Sequence, residues 1–208
     1  MPLYGFTGVY FAKYHNTNGA VTYDPPFTPG CPILANINFQ FSEGDLWCGD
    51  AMSVYRRKIV AGDITFEAKV LSPDAQVDMF GASKKVRSLT YEKDGQTVTE
   101  DVESVVYADG DKAPYLGFAG FGPDAVDDNT DKYCAFFVTK SRFSPPNMAL
   151  QTINNNIHFQ TPTTTGKFMR DDTTGKVVQE VAICDSEAAA RAWCQAVFPQ
   201  AQQPEPGG

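Results

Sequence analysis

At 208 residues, of which 42% are hydrophobic and 12% aromatic, the chain is long enough to bury a core as one domain and too apolar for a disordered segment. Its formal charge of −8 works against a nucleic-acid-binding surface, which draws affinity from clustered Lys and Arg. Cys31, Cys48, Cys134, Cys184 and Cys194 are odd in number and form no CxxC pair, so neither a disulfide framework nor a thiolate zinc site is predicted.

Met1 to Tyr4 offers neither the basic nor the apolar region of a signal peptide, and no window reaches the ~18 apolar residues of a membrane span. A cytoplasmic product without a membrane anchor is the expectation. Gly8 to Tyr14 reads as a first strand, closed by the turn-rich His15–Gly19, with Val21–Tyr23 pairing back as a hairpin. Four prolines between Asp24 and Pro32 then exclude helix and ladder alike, leaving an extended connector.

The central stretch, Ala35 to Gly81, states its structure most fully. Ile37, Phe39 and Phe41 alternate with Asn36, Asn38 and Gln40, the period of a strand with one wet face. Ile64, Phe66, Ala68 and Val70 alternate likewise with Thr65, Glu67 and Lys69, and the two strands are able to pair. Between them, Asp45 to Ala61 carries Trp47, Tyr55 and the run Arg56-Arg57-Lys58, and is predicted as a long binding loop rather than a hairpin turn. A helix follows, with Ser72 as N-cap, Pro73 at its first position, Asp74 near its positive end and Gly81 closing it.

Asp94-Gly95 between Leu89–Tyr91 and Gln96–Thr99 predicts an exposed polar hairpin, while Val102 to Val106 fits strand or helix. Tyr115 to Phe121 reads as a strand thinned by glycines, which is better explained by backbone crowding than by a dinucleotide fingerprint, since no helix follows. After the acidic loop Pro123–Asp131, Tyr133 to Lys140 is apolar on both faces and is the candidate for the most buried strand, stopped by Pro145-Pro146. Ala149 to Lys167, with Ile153, Ile157 and Phe159, suggests strands near a sheet edge, and Gly166–Gly175 a second hairpin leading into Val177–Ile183. Ser186 to Phe198 is a helix by propensity, capped by Asp185 or Ser186, with Ala189, Trp193, Ala196 and Val197 on one face; the tail 200–208 is predicted disordered.

Catalytic chemistry finds little support. His15 and His158 sit near no metal-like spacing, and Asp124–Asp131 lacks the alternating ligands, central glycine and closing Glu of a calcium loop, so no metal, cofactor or enzyme activity is predicted. Ten acidic side chains against Lys112 alone give segment 94–131 a charge of −9, a natural complement on a neighbouring copy for Arg56-Arg57-Lys58.

Leu3 to Ala12, Trp47-Cys-Gly-Asp-Ala-Met-Ser-Val-Tyr55 leading to Ala61-Gly-Asp-Ile-Thr-Phe-Glu-Ala68, the helix after it, the Pro114–Phe118 strand and the Ala-rich last helix stand in an order that resembles the major tail (tail tube) proteins of long-tailed bacteriophages. The likeness covers most of residues 3–198 and rests on order and spacing. It implies a mainly β (α+β) domain over 1–199, a β-sandwich or half-barrel with a short helix after the second inner strand, a C-terminal helix and an inserted polar hairpin near 84–104.

It also implies hexameric rings stacked into a tube through which DNA passes at ejection without specific binding, with tail terminator, tape-measure and distal tail proteins as partners. The tube would be assembled in the host bacterial cytoplasm and reside in the virion tail. Trp47, Asp50, Tyr55, Arg56, Arg57 and Lys58 are the expected subunit or ring interface, and Asn36, Asn38 and Gln40 the expected lumen face. The tube of a tailocin or secretion machine fits the same pattern, and a carbohydrate-binding β-sandwich fits the aromatic content.

Overall fold

Runs of alternating aromatic and β-branched residues, punctuated by Gly, Pro and Asp-Gly turns, dictate antiparallel strands, and the computed structural model, which describes residues 5–124, 132–147 and 160–200, is mainly β. The elements are β1 (Gly8–Thr17), β2 (Ala20–Tyr23), β3 (Pro32–Cys48), β4 (Ala51–Ala68), α1 (Pro73–Phe80), β5 (Ser83–Lys93), β6 (Gln96–Val106), β7 (Leu116–Pro123), β8 (Tyr133–Phe143), β9 (Thr163–Met169), β10 (Gln179–Cys184) and α2 (Glu187–Ala196). One sheet runs β2-β1-β7-β8-β9-β4-β3, with β10 also on β8, and β5 pairs with β6 in a separate ribbon.

That sheet is curled. Phe11 on β1 lies 5.4 Å, ring centre to ring centre, from Phe66 on β4, although the two strands are four places apart in the sheet. A flat sheet would separate them by about 19 Å at the usual strand spacing. Val9, Phe11, Ile64, Phe66, Phe118, Phe143 and Phe168 fill the concave side, closed by Leu71, Met79 and Phe80 from α1 and its approach. On the convex side Tyr10, Ala119, Phe121, Ala135 and Phe137 pack against Ala190, Cys194 and Phe198 of the α2 region. β7 and β8 are therefore covered on both faces, and β8 is as buried as its unbroken apolar run predicts.

The glycines of β7 are where backbone meets rings. A Cβ on Gly117 would stand 2.7 Å from Tyr23 and 2.8 Å from Phe198, and one on Gly120 2.7 Å from Phe6 and 2.8 Å from Phe136. The first helix follows its signals: the Ser72 hydroxyl accepts from Ala75 N at 3.2 Å, Pro73 opens it, and Gly81 closes it with φ 72. The Asp94-Gly95 turn is present, with φ 53 and 78, and joins strands that extend the predicted polar hairpin to Ser83 and Val106.

Several expectations need correction. Asp45 to Ala61 is no loop: β3 and β4 stay paired from Pro32↔Ala68 to Cys48↔Ala51, so most of the segment forms the far part of one long hairpin turned at Gly49-Asp50. β9 is interior, lying between β4 and β8, because Thr164, Gly166 and Phe168 point inward while only Thr165 and Lys167 are exposed. Gly166–Gly175 makes no hairpin with the following strand, since β9 and β10 sit end to end along the same edge of β8. On α2 the buried positions are Ala190 and Cys194, one residue off the predicted face, and Ala189 and Ala196 are exposed. Ile153, Ile157, Phe159, His158, the acidic stretch 125–131 and the tail beyond Gln200 lie outside the described residues.

Candidate functional site

Asn36, Asn38 and Gln40 lie exposed on the outer face of the curled sheet, as their alternation predicts. Pairing extends this face across three more strands: Asn38 stands opposite Asp63, Asp63 opposite Lys167, and Lys167 opposite Arg142, while Gln40 donates to Asp63 Oδ2 at 2.5 Å. Asp63 and Glu67 are matched in charge by Lys167 and Arg142, so the four-stranded face is polar and close to neutral.

Beyond the sheet, β3 and β4 continue as a free two-stranded arm, and strand alternation sorts the predicted interface residues onto its two faces. Phe41, Glu43, Asp45 and Trp47 share one face with Ile59, Arg57 and Tyr55; Ser42, Gly44 and Leu46 share the other with Lys58, Arg56 and Val54. Trp47 is 57% exposed and Tyr55 52%, and Asp50 sits at the tip. The basic run is consequently not one cluster. Arg57 faces away from Arg56 and Lys58, binds Glu43 at 3.0 Å and lies 3.5 Å over the Phe41 ring. Its charge is spent inside the arm.

The acidic segment 94–131 is dispersed in the same way. Glu100 and Asp101 point to opposite faces of the β5–β6 ribbon, Asp101 accepts from Ser88, Glu103 pairs with Lys84, and Asp124 is buried. Lys84, Lys85, Arg87 and Lys93 of β5, the strand paired with β6, lie beside those acids.

Local spacing gave no hint of one polar network, because its members are far apart in the chain. Lys140 Nζ donates to Asp172 Oδ2 at 2.6 Å, the Tyr14 hydroxyl donates to the same oxygen at 2.9 Å, and the ammonium lies 4.7 Å from the Tyr115 ring centre. The Lys140 bond, reinforced by Tyr14, holds the Asp172 carboxyl below its usual pKa. Burial first, with Asp172's charge adding, pushes Tyr14 up to about 12. The network ties the β9–β10 connection to β1 and β8, where Tyr23 also donates to Thr139 O at 2.7 Å.

Because Asp172 titrates lower when folded, its contribution to stability is present above about pH 4, the ordinary carboxylate value, and is lost as pH falls through the folded pKa. Asp172→Asn should therefore lower the urea midpoint at pH 7, and the gap to wild type should close only as the pH falls below the ordinary carboxylate range and through the folded pKa. A constant gap at every pH would assign the loss to packing instead.

Burial also raises the Cys184 thiol and takes Cys194 to about 12, so both behave as core apolar groups. Among the described residues no group of His, Cys, Asp and Glu is arranged to hold a metal ion, and no helix is long and apolar enough to cross a membrane. No protein-family model matches the chain, and no curated protein matches it.

Proposed function

We propose that the chain is a structural subunit that polymerises as stacked hexameric rings into the tail tube of a long-tailed bacteriophage, the conduit for DNA ejection. The observation that carries this reading is the pair of long ribbons, β3–β4 beyond the sheet and β5–β6, which hold Leu46, Trp47, Tyr55, Leu89 and Tyr91 in water. A two-stranded ribbon is at best marginally stable alone, and large apolar side chains in contiguous exposed rows mark association surfaces. β3 also leaves one edge without a strand partner along the described sheet, a template that copies of the same chain are suited to cover.

A conduit must not hold what it conducts. The neutral polar face around Asn36, Asn38, Gln40, Asp63 and Lys167 suits the bore, provided that Arg56 and Lys58, which extend the same face along the arm, meet a neighbouring copy. Tail terminator, tape-measure and distal tail proteins are the partners this reading entails, and no cofactor or catalytic step enters it. A tailocin or secretion tube would share the assembly.

Light scattering and negative-stain microscopy of purified protein across a concentration series should show rings, tubes or a ladder of species. The tubes should retain no double-stranded DNA at low salt, where electrostatic binding is strongest. Failure to assemble even with tail initiator proteins, or tight salt-sensitive DNA binding, would end the reading. A monomer that binds glycans would support a carbohydrate-binding module in its place.

A further inference from the structure

The β5–β6 ribbon has two chemically different faces, both exposed, and among the described residues only the first has its cation ion-paired. On the first, Lys84 pairs with Asp74 and, at 2.6 Å, with Glu103; Ser88 bonds Asp101; and Thr90 meets Thr99 at 3.0 Å. The second presents Lys85, Arg87, Leu89, Tyr91 and Lys93 from β5, opposite Val102, Glu100 and Val98 of β6. None of Lys85, Arg87 and Lys93 has an ion-pair partner among the described residues. This face is apolar at its centre and carries an excess of two positive charges.

The β3–β4 arm has a face of the opposite kind. Phe41, Trp47, Tyr55 and Ile59 form its apolar row, and Arg57 cancels Glu43, which leaves Asp45 as a net negative charge beside the Trp47 indole whose N–H it accepts. Both faces are exposed in the single chain. Each is two strands wide, and at about 3.3 Å per residue they run about 36 Å along β5 and about 26 Å from Phe41 to Cys48.

We propose that these two faces dock on each other between copies of this chain: the cationic face of one copy's β5–β6 ribbon covers the aromatic, acidic face of the next copy's β3–β4 arm. Opposite net charge fixes the pairing, because either face against its own kind would juxtapose like charges. Arginine and lysine over exposed indole and phenol rings add attraction at the contact. The two surfaces differ, so each copy gives one and receives one. Such a heterologous contact builds rings or open filaments rather than closed twofold dimers. The inference rests on the self-assembly proposed above and names the surfaces that carry it.

The test is zero-length carbodiimide cross-linking of wild-type protein mixed from light and 15N-labelled batches, followed by charge reversal. Expected are mixed-isotope cross-links joining Glu43 or Asp45 to Lys85 or Lys93. Asp45→Arg and Arg87→Asp, each alone, should raise the concentration needed for half-assembly by about tenfold, the range of a charge pair at an interface. An equimolar mixture of the two variants, or both changes in one chain, should restore assembly, with melting unchanged throughout. Assemblies lacking these cross-links, or indifferent to the reversals, overturn the docking and leave the tube reading standing. Cross-linked species that never form rings or tubes uphold the docking and overturn the tube. A strict monomer overturns both.

Discussion

Replacing Phe11 with Ala is expected to cost about 3–5 kcal/mol, a large share of the roughly 5–15 kcal/mol that holds a domain of this kind together. Phe11 is fully buried and is the ring on which the curl of the sheet closes. Its centre lies 4.8 Å from Phe118 on β7, 5.4 Å from Phe66 on β4, 5.4 Å from Phe143 on β8 and 6.2 Å from Phe27 in the connector. Truncation loses the transfer energy of the ring and leaves a cavity. Its walls belong to three different strands and cannot collapse together without uncurling the sheet. Urea denaturation should show the midpoint falling with the slope unchanged. Val86→Ala, on the exposed β5–β6 ribbon, should stay within about 0.5 kcal/mol. A loss under about 1.5 kcal/mol at Phe11 would mean that β1 and β4 do not meet across one interior.

Where the sequence was legible, a buried surface or a special backbone position had left its mark. Ser72, Pro73 and Gly81 bounded the first helix because caps act locally, and Asp94-Gly95 marked a turn that needs two positive φ values. Tyr133–Lys140 announced a strand covered on both sides, and the glycines of β7 announced crowding.

The β3–β4 arm escaped for the complementary reason. From Ser42 to Val60 both faces are in water, so alternation between Leu46 and Trp47, or Val54 and Tyr55, separates no inside from outside, and a long strand reads as an irregular loop. Thr-rich β9 looked like an edge strand because its outward face is polar, although strands cover both its edges. For the candidate site, residue types were legible and grouping was not. Arg56-Arg57-Lys58 is contiguous in sequence, yet strand pleating sends Arg57 to the opposite face, and the Lys140–Asp172–Tyr14 network joins positions that no local spacing relates.

Trp47→Ala should leave the subunit's stability within about 0.5 kcal/mol, yet cost assembly at least about 2 kcal/mol, roughly a thirtyfold rise in the concentration at which oligomers form. The dissociation of the two effects follows from its position. Trp47 stands near the end of β3, 57% exposed, and its indole N–H is bound to Asp45 two residues away on the same face, so nothing in the subunit's core depends on it. Its loss removes about 150–250 Å² of amphipathic surface from the arm and leaves Tyr55 as the remaining large ring near the tip on that face. Trp47→Phe separates the two parts of the side chain: an aromatic ring, though a smaller one, is kept, the bond to Asp45 is lost, and most of the assembly should survive. Melting curves and sedimentation across a concentration series measure both quantities on the same samples. Normal assembly by Trp47→Ala would leave the arm as a solvated tip. A fall of several degrees in Tm would place Trp47 in the packing of its own subunit, against its exposure on the arm.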